Sequence, residues 1–175
     1  RKGLDVAIAA VQRINAAAMR VRLDIYGPGE ISKFLIADLP GICYKGVYAR
    51  GDAQSIISDY DLLLVPSRHE GWGLVVNEAL MQGVPVVVSD RVGAKVLVEG
   101  SVAGLVFRSE DEKQLANLLL DLSENREKIA IMKTQCAVVR DLITPQAGAD
   151  YLAKVMQHHF NGVGEKPNPL WTLRE

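Results

Sequence analysis

The chain has 175 residues, 49% of them hydrophobic, and its formal net charge is −1. This length suits one domain with a sizeable core. The composition excludes a disordered chain, and because no basic excess is present it argues against a nucleic-acid partner. No apolar run reaches the roughly 20 residues that a membrane-spanning helix requires. Cys43 and Cys136 are too few for a disulfide framework, and their apolar neighbours predict two reduced core residues, which fits a cytoplasmic protein.

The apolar residues alternate between helical and strand periods along the chain. Helices are predicted over residues 4–19, 30–39, 51–59, 74–83, 93–98, 111–122, 126–142 and 145–159. Strands are predicted over residues 21–26, 42–44, 62–65, 84–88 and 104–107. Residues 1–160 therefore form one predicted domain, and residues 161–175, which are rich in Gly and Pro, form a predicted irregular tail.

Strands that alternate with helices predict an α/β fold, an open parallel sheet with helices on both faces. Ligands on such sheets bind beyond the carboxyl ends of the strands. Four loops follow predicted strands, and we expect them to converge on one cleft. They are residues 27–29, 46–50, 66–73 and 90–93.

The most informative stretch, residues 61–90, predicts a strand, a loop, a helix and a second strand. Glu70 lies before the helix and Glu78 inside it. Eight residues of helical rise would separate them by about 12 Å, the scale of a diphosphate with a sugar at each end. Gly71, Gly73 and the free amides of the helix start can bind an anion, and carboxylates accept hydrogen bonds from sugar hydroxyls. The competing interpretation is that Glu70 is a first-turn charge favoured by the helix dipole and Glu78 a solvated helix residue.

The segment EGWGLVVNEAL, preceded by PS and followed by GVPVVVSD, resembles the Glu-x7-Glu motif of retaining GT-B glycosyltransferases. It is most similar to the large group 1 family, family four, and the resemblance runs from Arg1 to about Leu120. It implies that the chain is the C-terminal, Rossmann-like half of a GT-B fold, which binds the donor. The N-terminal acceptor domain is absent from this sequence, and the lack of an initial Met predicts a domain taken from a longer protein.

The resemblance also implies roles for individual residues. Glu70 resembles the first glutamate of the motif, near the transferred sugar, and is the predicted catalytic residue through donor positioning and electrostatic stabilisation. Glu78 resembles the second glutamate, which holds the ribose hydroxyls. Lys2 resembles the lysine of the family's KG motif, which contacts the diphosphate; the alternative is a charged chain end without a role. With Gly27 beside the nucleotide and Val47 and Tyr48 beside the base, the predicted donor-binding residues are Lys2, Gly27, Val47, Tyr48, Glu70, Gly71, Trp72, Gly73, Leu74 and Glu78.

We therefore expect the donor-binding domain of a glycosyltransferase that moves a sugar from a nucleoside-diphosphate sugar to an acceptor, with retention of configuration. The expected setting is glycan, lipopolysaccharide or capsule biosynthesis. The acceptor, a glycan or glycolipid, would be bound with the N-terminal domain, so the isolated chain is expected to be inactive. The longer protein would be cytoplasmic, either free or at the inner face of the membrane.

The resemblance implies neither a cofactor nor a metal, and no His, Cys or carboxylate spacing in the sequence indicates a metal site. Two alternatives to an enzyme of this kind stay open. One is a non-catalytic nucleotide-binding module, which would not need both glutamates, and the other is a sugar-nucleotide epimerase-like GT-B protein.

Overall fold

A computed structural model of the chain describes residues 1–29, 39–49, 51–162 and 164–170. The strands in this part of the chain are β1 Leu23–Tyr26, β2 Ile42–Gly46, β3 Leu63–Val65, β4 Val86–Ser89 and β5 Gly104–Phe107. The α-helices are α1 Leu4–Asn15, α2 Ala53–Ser58, α3 Leu74–Met81, α4 Val96–Glu99, α5 Glu112–Glu124, α6 Arg126–Leu142 and α7 Pro145–Asn161. A 3-10 helix, Gly93–Lys95, leads directly into α4. Most of the helix predicted over residues 30–39 lies outside the described residues.

The strands pair in parallel within two sheets. β1 pairs with β2, while β3, β4 and β5 form a three-stranded sheet with β4 in the centre. The predicted α/β fold, with parallel strands flanked by helices, is confirmed. The described strands differ in one respect from the single continuous sheet of the prediction, because β1 and β3 are not paired with each other and a cleft lies between them.

β4 is buried along its whole length, and its side chains alternate between two apolar clusters. Val86 and Val88 belong to a cluster with α3, α4 and Cys136 of α6. Val87 belongs to a second cluster, formed with α1, α5 and Phe107. A parallel strand covered on both faces reads as such a continuous apolar run. The two clusters therefore place helices on both faces of the three-stranded sheet.

α1 ends at Asn15, four residues before its predicted end at residue 19. The Asn15 side-chain oxygen accepts hydrogen bonds from the amides of Arg20 and Val21 at 3.0 and 3.1 Å, and its side-chain nitrogen donates to the Val21 carbonyl at 2.8 Å. These bonds turn the chain out of the helix toward β1, an alternative to helical pairing that the apolar period does not reveal. The other boundaries predicted within the described residues agree to within two residues.

The two cysteines lie in different environments. Cys136 is buried, and burial raises the pKa of its thiol to about 11. Cys43 is exposed, so the prediction that both are core residues is wrong for Cys43. Its strand, β2, pairs with β1 alone among the described strands, and the three central residues of β2 are exposed. Apolar neighbours in sequence did not indicate burial there, since among the described residues no apolar layer covers that part of β2.

Candidate active site

Lys2 and Glu70, 68 residues apart in sequence, are in direct contact. The Lys2 ammonium donates a hydrogen bond to the Glu70 carboxylate and forms an ion pair with it. The Lys2 side chain is 61% exposed and the Glu70 side chain 23% exposed, so the pair lies where a ligand can reach it. The structure therefore brings together the two residues to which the sequence assigned the diphosphate and the transferred sugar.

Gly3 fixes the position of Lys2. It adopts a left-handed conformation, with φ of 69°, and caps α1 without any side-chain hydrogen bond. A Cβ atom on Gly3 would lie 1.8 Å from the Pro66 carbonyl oxygen, so only glycine permits this approach to the end of β3. Next to it, the Arg68 amide donates to the Arg1 carbonyl at 2.9 Å. The start of α1 is thus joined through backbone atoms to the loop that carries Glu70.

The backbone of residues 70–72 is docked on residues 91–94. Glu70 forms a parallel bridge with Val92; its amide donates to the Arg91 carbonyl and its carbonyl accepts from the Gly93 amide, both at 3.1 Å. A Cβ atom on Gly93 would lie 2.1 Å from the Gly71 carbonyl oxygen, so this contact also requires glycine. Glu70 consequently lies in extended backbone, ahead of α3. The interpretation of Glu70 as a first-turn charge is wrong, because α3 begins at Leu74 and carries no acidic residue in its first turn.

Arg68 ties this loop to two further elements. Its guanidinium donates to both carboxylate oxygens of Asp5 in α1, at 2.8 and 2.6 Å, and to the Glu110 carboxylate at 2.7 Å. Hydrogen bonding by Arg68 holds the pKa of Asp5 below its ordinary value. No role for Arg68 was predicted from the sequence. The signal available was a cation two residues before Glu70 together with an acidic residue in the first turn of α1.

The start of α3 is open to solvent. Its cap, Gly73, has φ of 97° and no side chain, so the cap residue supplies no side-chain acceptor to the first amides of the helix. Leu74 is 71% exposed, and the Trp72 indole nitrogen donates to the Asn77 side chain at 2.8 Å. Glu78 lies one turn further along the same side of α3 as Leu74. Its partly buried carboxylate makes no hydrogen bond within the described part of the chain.

The opposite side of the cleft is formed by β1, by residues 27–29 after it and by Tyr48. The Gly27 amide donates to the Gly46 carbonyl at 2.9 Å, and the Tyr44 hydroxyl donates to the Gly27 carbonyl at 2.7 Å. Tyr48 packs edge-on against Tyr26, with ring centroids 6.0 Å apart, and remains 39% exposed. The two loops predicted to border the nucleotide are therefore in contact with each other and present an aromatic ring to the cleft.

The cleft has a volume of about 1060 Å³. Of the predicted donor-binding residues, Lys2, Gly27, Tyr48 and Glu70 line it. The other six, Val47, Gly71, Trp72, Gly73, Leu74 and Glu78, lie outside its lining. Val75 does line it, and Val75 is the neighbour of Leu74 and lies one turn from Glu78. Apart from Val47, which follows β2, the predicted residues thus divide between the wall of the cleft and residues 71–78 at the start of α3. Their individual roles stay predictions.

A profile of the family described as "Glycosyl transferases group 1" matches residues 1–125. This chain belongs to the group 1 glycosyltransferases. The matched region of this group 1 chain contains Lys2, Glu70 and Glu78, so the family assignment rests on the same part of the chain as the candidate site.

Three relatives illustrate the likeness of this group 1 chain to known proteins. The amylovoran biosynthesis glycosyltransferase AmsK of Erwinia amylovora is 30% identical over 141 residues, which cover 74% of this chain and 35% of AmsK. The structure of HepE of Anabaena in complex with UDP and glucose covers 87% of this chain and 45% of its own, with a TM-score of 0.68 and 22% identity. The C-terminal domain of the group 1 family protein LpcC of Francisella tularensis covers 81% of this chain and 79% of its own, with a TM-score of 0.68 and 18% identity.

These likenesses confirm the Rossmann-like fold. They also give the share of the relatives' length that the chain covers. The chain spans less than half the length of the curated relatives it matches, at 41%, 33% and 35% for three of them.

Within residues 1–29, 39–49, 51–162 and 164–170, no group of three or more His, Cys, Asp or Glu side chains is placed to hold a metal ion. No helix in those same ranges combines the length and apolarity needed to span a bilayer.

Proposed function

We propose that this chain is the donor-binding part of a retaining glycosyltransferase, which transfers a sugar from a nucleoside-diphosphate sugar to an acceptor in glycan biosynthesis. A second domain of the longer protein supplies the site for the acceptor, a glycan or glycolipid. The transfer takes place in the cytoplasm, with no metal and no cofactor beyond the donor. AmsK, a glycosyltransferase of amylovoran biosynthesis, and HepE, solved with UDP and glucose, support this assignment by their likeness to the chain.

The observation that carries the proposal is the Lys2–Glu70 contact in the lining of the cleft. An ammonium at the start of α1 and the open amides of α3 provide positive charge for a diphosphate. A carboxylate beside them would repel that diphosphate unless it faces another part of the ligand. The hydroxyl-bearing donor sugar is such a part, since carboxylates accept hydrogen bonds from hydroxyl groups. The pair of opposite charges therefore fits a ligand with an anionic and a polyhydroxylated end.

The division of roles follows from these positions. Lys2 binds the diphosphate and moves from Glu70 to the phosphate oxygens when the donor binds. Glu70 positions the sugar and stabilises the positive charge that develops at its anomeric carbon in the transition state. Glu78, further along α3, accepts hydrogen bonds from the ribose, and Tyr48 lies beside the base. Retention of configuration is a further part of the proposal and is tested separately.

Calorimetry tests the binding half of the proposal. UDP, GDP and ADP are titrated into the chain, and the corresponding nucleosides are titrated separately for comparison. We expect one diphosphate to bind, and Lys2→Ala to weaken it about tenfold or more, the scale of a lost charge-assisted hydrogen bond. The nucleoside should keep its affinity. Lys154→Ala is the matched control, because Lys154 is exposed on α7 and is not part of the cleft lining. Equal losses for the diphosphate and its nucleoside would contradict the role of Lys2.

Turnover tests the catalytic half and requires the longer protein. Glu70→Gln should lower turnover by a factor of about 100 or more while the affinity for the nucleoside diphosphate stays equal or rises slightly. NMR of the anomeric proton in the first product should give the configuration of the donor. Collapse of diphosphate affinity with normal turnover at saturating donor would make Glu70 a binding residue only, and an inverted product would contradict retention.

A further inference from the structure

Glu110, between β5 and α5, has an unusual backbone conformation. Among the residues that the structure describes, it is the one non-glycine residue with a positive φ, at 70°. A side chain makes this conformation unfavourable, whereas glycine adopts it freely. The Glu110 side chain is 65% exposed, so burial does not compensate for the strain. Such strain persists where the surrounding structure requires it, and it often marks a functional constraint. The reason for a glutamate at this position therefore lies in its carboxylate.

That carboxylate holds one side of the Arg68 guanidinium. It accepts a hydrogen bond from Nε of Arg68 at 2.7 Å. The two terminal nitrogens of the same guanidinium donate to the two carboxylate oxygens of Asp5 at 2.8 and 2.6 Å. A planar fork bound by two carboxylates on two sides has a fixed orientation. Because Asp5 belongs to α1 and Glu110 follows β5, Arg68 fastens its own loop to both of these elements.

The segment that contains Glu110 is itself anchored on both sides. The Ser109 amide donates to the Asp90 carboxylate, just beyond β4, at 2.9 Å. On the other side, the Asp111 side chain caps the start of α5. Glu110 therefore lies between two fixed neighbours, and its carboxylate presents Arg68 with an acceptor in a fixed place.

Arg68 in turn connects the two segments that form the candidate site. It lies two residues before Glu70, and its amide donates to the Arg1 carbonyl at 2.9 Å, next to Lys2. The Lys2–Glu70 pair cannot hold these segments together by itself, since an ion pair open to water contributes little to stability. The orientation of the Arg68 side chain, set by its two carboxylate partners, instead governs how the segments meet.

We propose that Glu110 is a positioning residue for the candidate site. Acting through Arg68, its carboxylate holds the loop that carries Glu70 against the start of α1, so that Lys2 and Glu70 are in place before a donor binds. Such preorganisation favours binding, because the ligand does not have to order the loop. The inference rests on the proposed function for the identity of the ligand, whereas the fastening of the loop is a property of the chain without ligand.

Glu110→Gly separates positioning from stability. Glycine relieves the left-handed conformation, so the urea midpoint should stay equal or rise. The amides of Arg68 and Glu70, which donate to carbonyls of other segments, should nevertheless exchange about tenfold or more faster, because their loop has lost a fastening. The amide of Val87, in the centre of β4, should exchange no faster than in the natural chain. Native-state hydrogen exchange without nucleotide measures all three amides.

Nucleotide affinity supplies the second measurement. UDP, GDP, ADP and their nucleosides are titrated by calorimetry into the natural chain, Glu110→Gly and Arg68→Lys. Both variants should weaken the diphosphate that binds by about threefold or more and leave its nucleoside unchanged. Arg68→Lys keeps the charge and loses the planar fork, so an equal loss would assign the effect to orientation. Glu112→Gln is the matched control, because Glu112 also contacts an arginine but bonds Arg13 of α1, at 3.4 Å. It should keep the natural affinity.

Three results would overturn the proposal. The first is unchanged exchange at Arg68 and Glu70 in Glu110→Gly, and the second is faster exchange that Val87 shares, since that is a general loss of stability. The third is full diphosphate affinity in Arg68→Lys, because charge alone would then suffice. Failure of the proposed function looks different: Lys2→Ala would leave diphosphate affinity unchanged, while Glu110→Gly would still free the loop in the exchange experiment.

Discussion

The Lys2–Glu70 ion pair lies at a surface that water reaches, and pairs in such settings contribute only about 0–1 kcal/mol to folding. The surrounding chain nevertheless fixes both partners closely. Gly3 adopts a left-handed conformation beside Pro66, and residues 70–72 are hydrogen-bonded to residues 91–94. So weak a pair does not account for such constraints through stability. The proposed function adds a requirement on where the ammonium and the carboxylate lie, and such constraints are consistent with it.

The Glu78 carboxylate supplies a direct test of ligand binding, because it makes no hydrogen bond within the described residues. Glu78→Ala should weaken nucleoside-diphosphate affinity by about 10- to 100-fold, the loss expected for one hydrogen bond to a charged group. The free energy of unfolding should change little. Calorimetry and urea denaturation check the two quantities, with Glu127→Ala on exposed α6 surface as the control. Unchanged affinity would remove Glu78 from the binding site.

The Arg68–Asp5 contact predicts a pH dependence of stability. The folded-state pKa of Asp5 lies below its ordinary value of 3.8, chiefly because Arg68 donates hydrogen bonds to the carboxylate. A lowered carboxyl pKa stabilises the fold above the unfolded-state pKa, and this contribution is lost as pH falls through the folded-state pKa. The stability difference between the natural chain and Asp5→Asn should therefore be constant from pH 7 to about 5 and shrink below about 4.

Urea denaturation at pH 7, 5, 4 and 3 measures that difference. Arg68→Gln provides the matched background, since in it Asp5→Asn should no longer alter the pH dependence. A difference that grows on acidification, or one that persists in the Arg68→Gln background, would mean that Asp5 stabilises the fold by some route other than its contact with Arg68.

At the scale of elements, the start of α1 depends on Gly3. Gly3→Ala should destabilise the chain by more than about 1–2 kcal/mol, because it adds the cost of a left-handed residue to a collision with the Pro66 carbonyl. Gly148→Ala is the matched control. Gly148 lies inside α7 with open space around its Cα, so alanine there should stabilise by about 0.4–1 kcal/mol. Urea denaturation gives both values, and a neutral Gly3→Ala would show that α1 can start elsewhere.

Local patterns were sufficient for the helices and strands themselves. The period of residues 126–142 predicts α6 at its observed bounds, and residues 104–107 predict β5 in the same way. The errors arise where distant or side-chain contacts decide. Asn15 ends α1 through bonds to residues up to six positions away. The position of Cys43 depends on which strand lies at the end of its sheet, and no local period encodes that.

The sequence indicates which residues belong to the candidate site, and that assignment stays a prediction, but it does not indicate their contacts. The spacing of Glu70 and Glu78 and the resemblance around them indicate a site, but the pairing of Lys2 with Glu70 requires α1 and the loop after β3 to meet across 68 residues. The same applies to Arg68, whose partners are 63 and 42 residues away. Such pairs depend on how elements pack in three dimensions. The separation of the strands into two sheets was unpredictable for the same reason, because it depends on which edges meet.

At the scale of the whole molecule, the two sheets differ in how far their residues are buried. All residues of β4 are buried between two apolar clusters, whereas the central residues of β2 are exposed. Local opening is cheapest where few apolar groups are buried and backbone hydrogen bonds face water. The chain is therefore expected to open in stages, with the β1–β2 sheet opening at a lower free energy than the sheet of β3, β4 and β5.

Native-state hydrogen exchange with a core variant tests this order. Val87→Ala removes two buried methyl groups from the centre of β4 and should lower the opening free energy of β3, β4 and β5 amides by about 1.5–3 kcal/mol. The amides of Cys43 and Lys45, which face β1, should keep their opening free energy, because they exchange through a local opening that leaves β4 intact. If the opening free energies of the β2 amides fell by the same amount as those of the β4 amides, both sheets would open in one cooperative step. The cleft between them would then not divide the molecule into units of different stability.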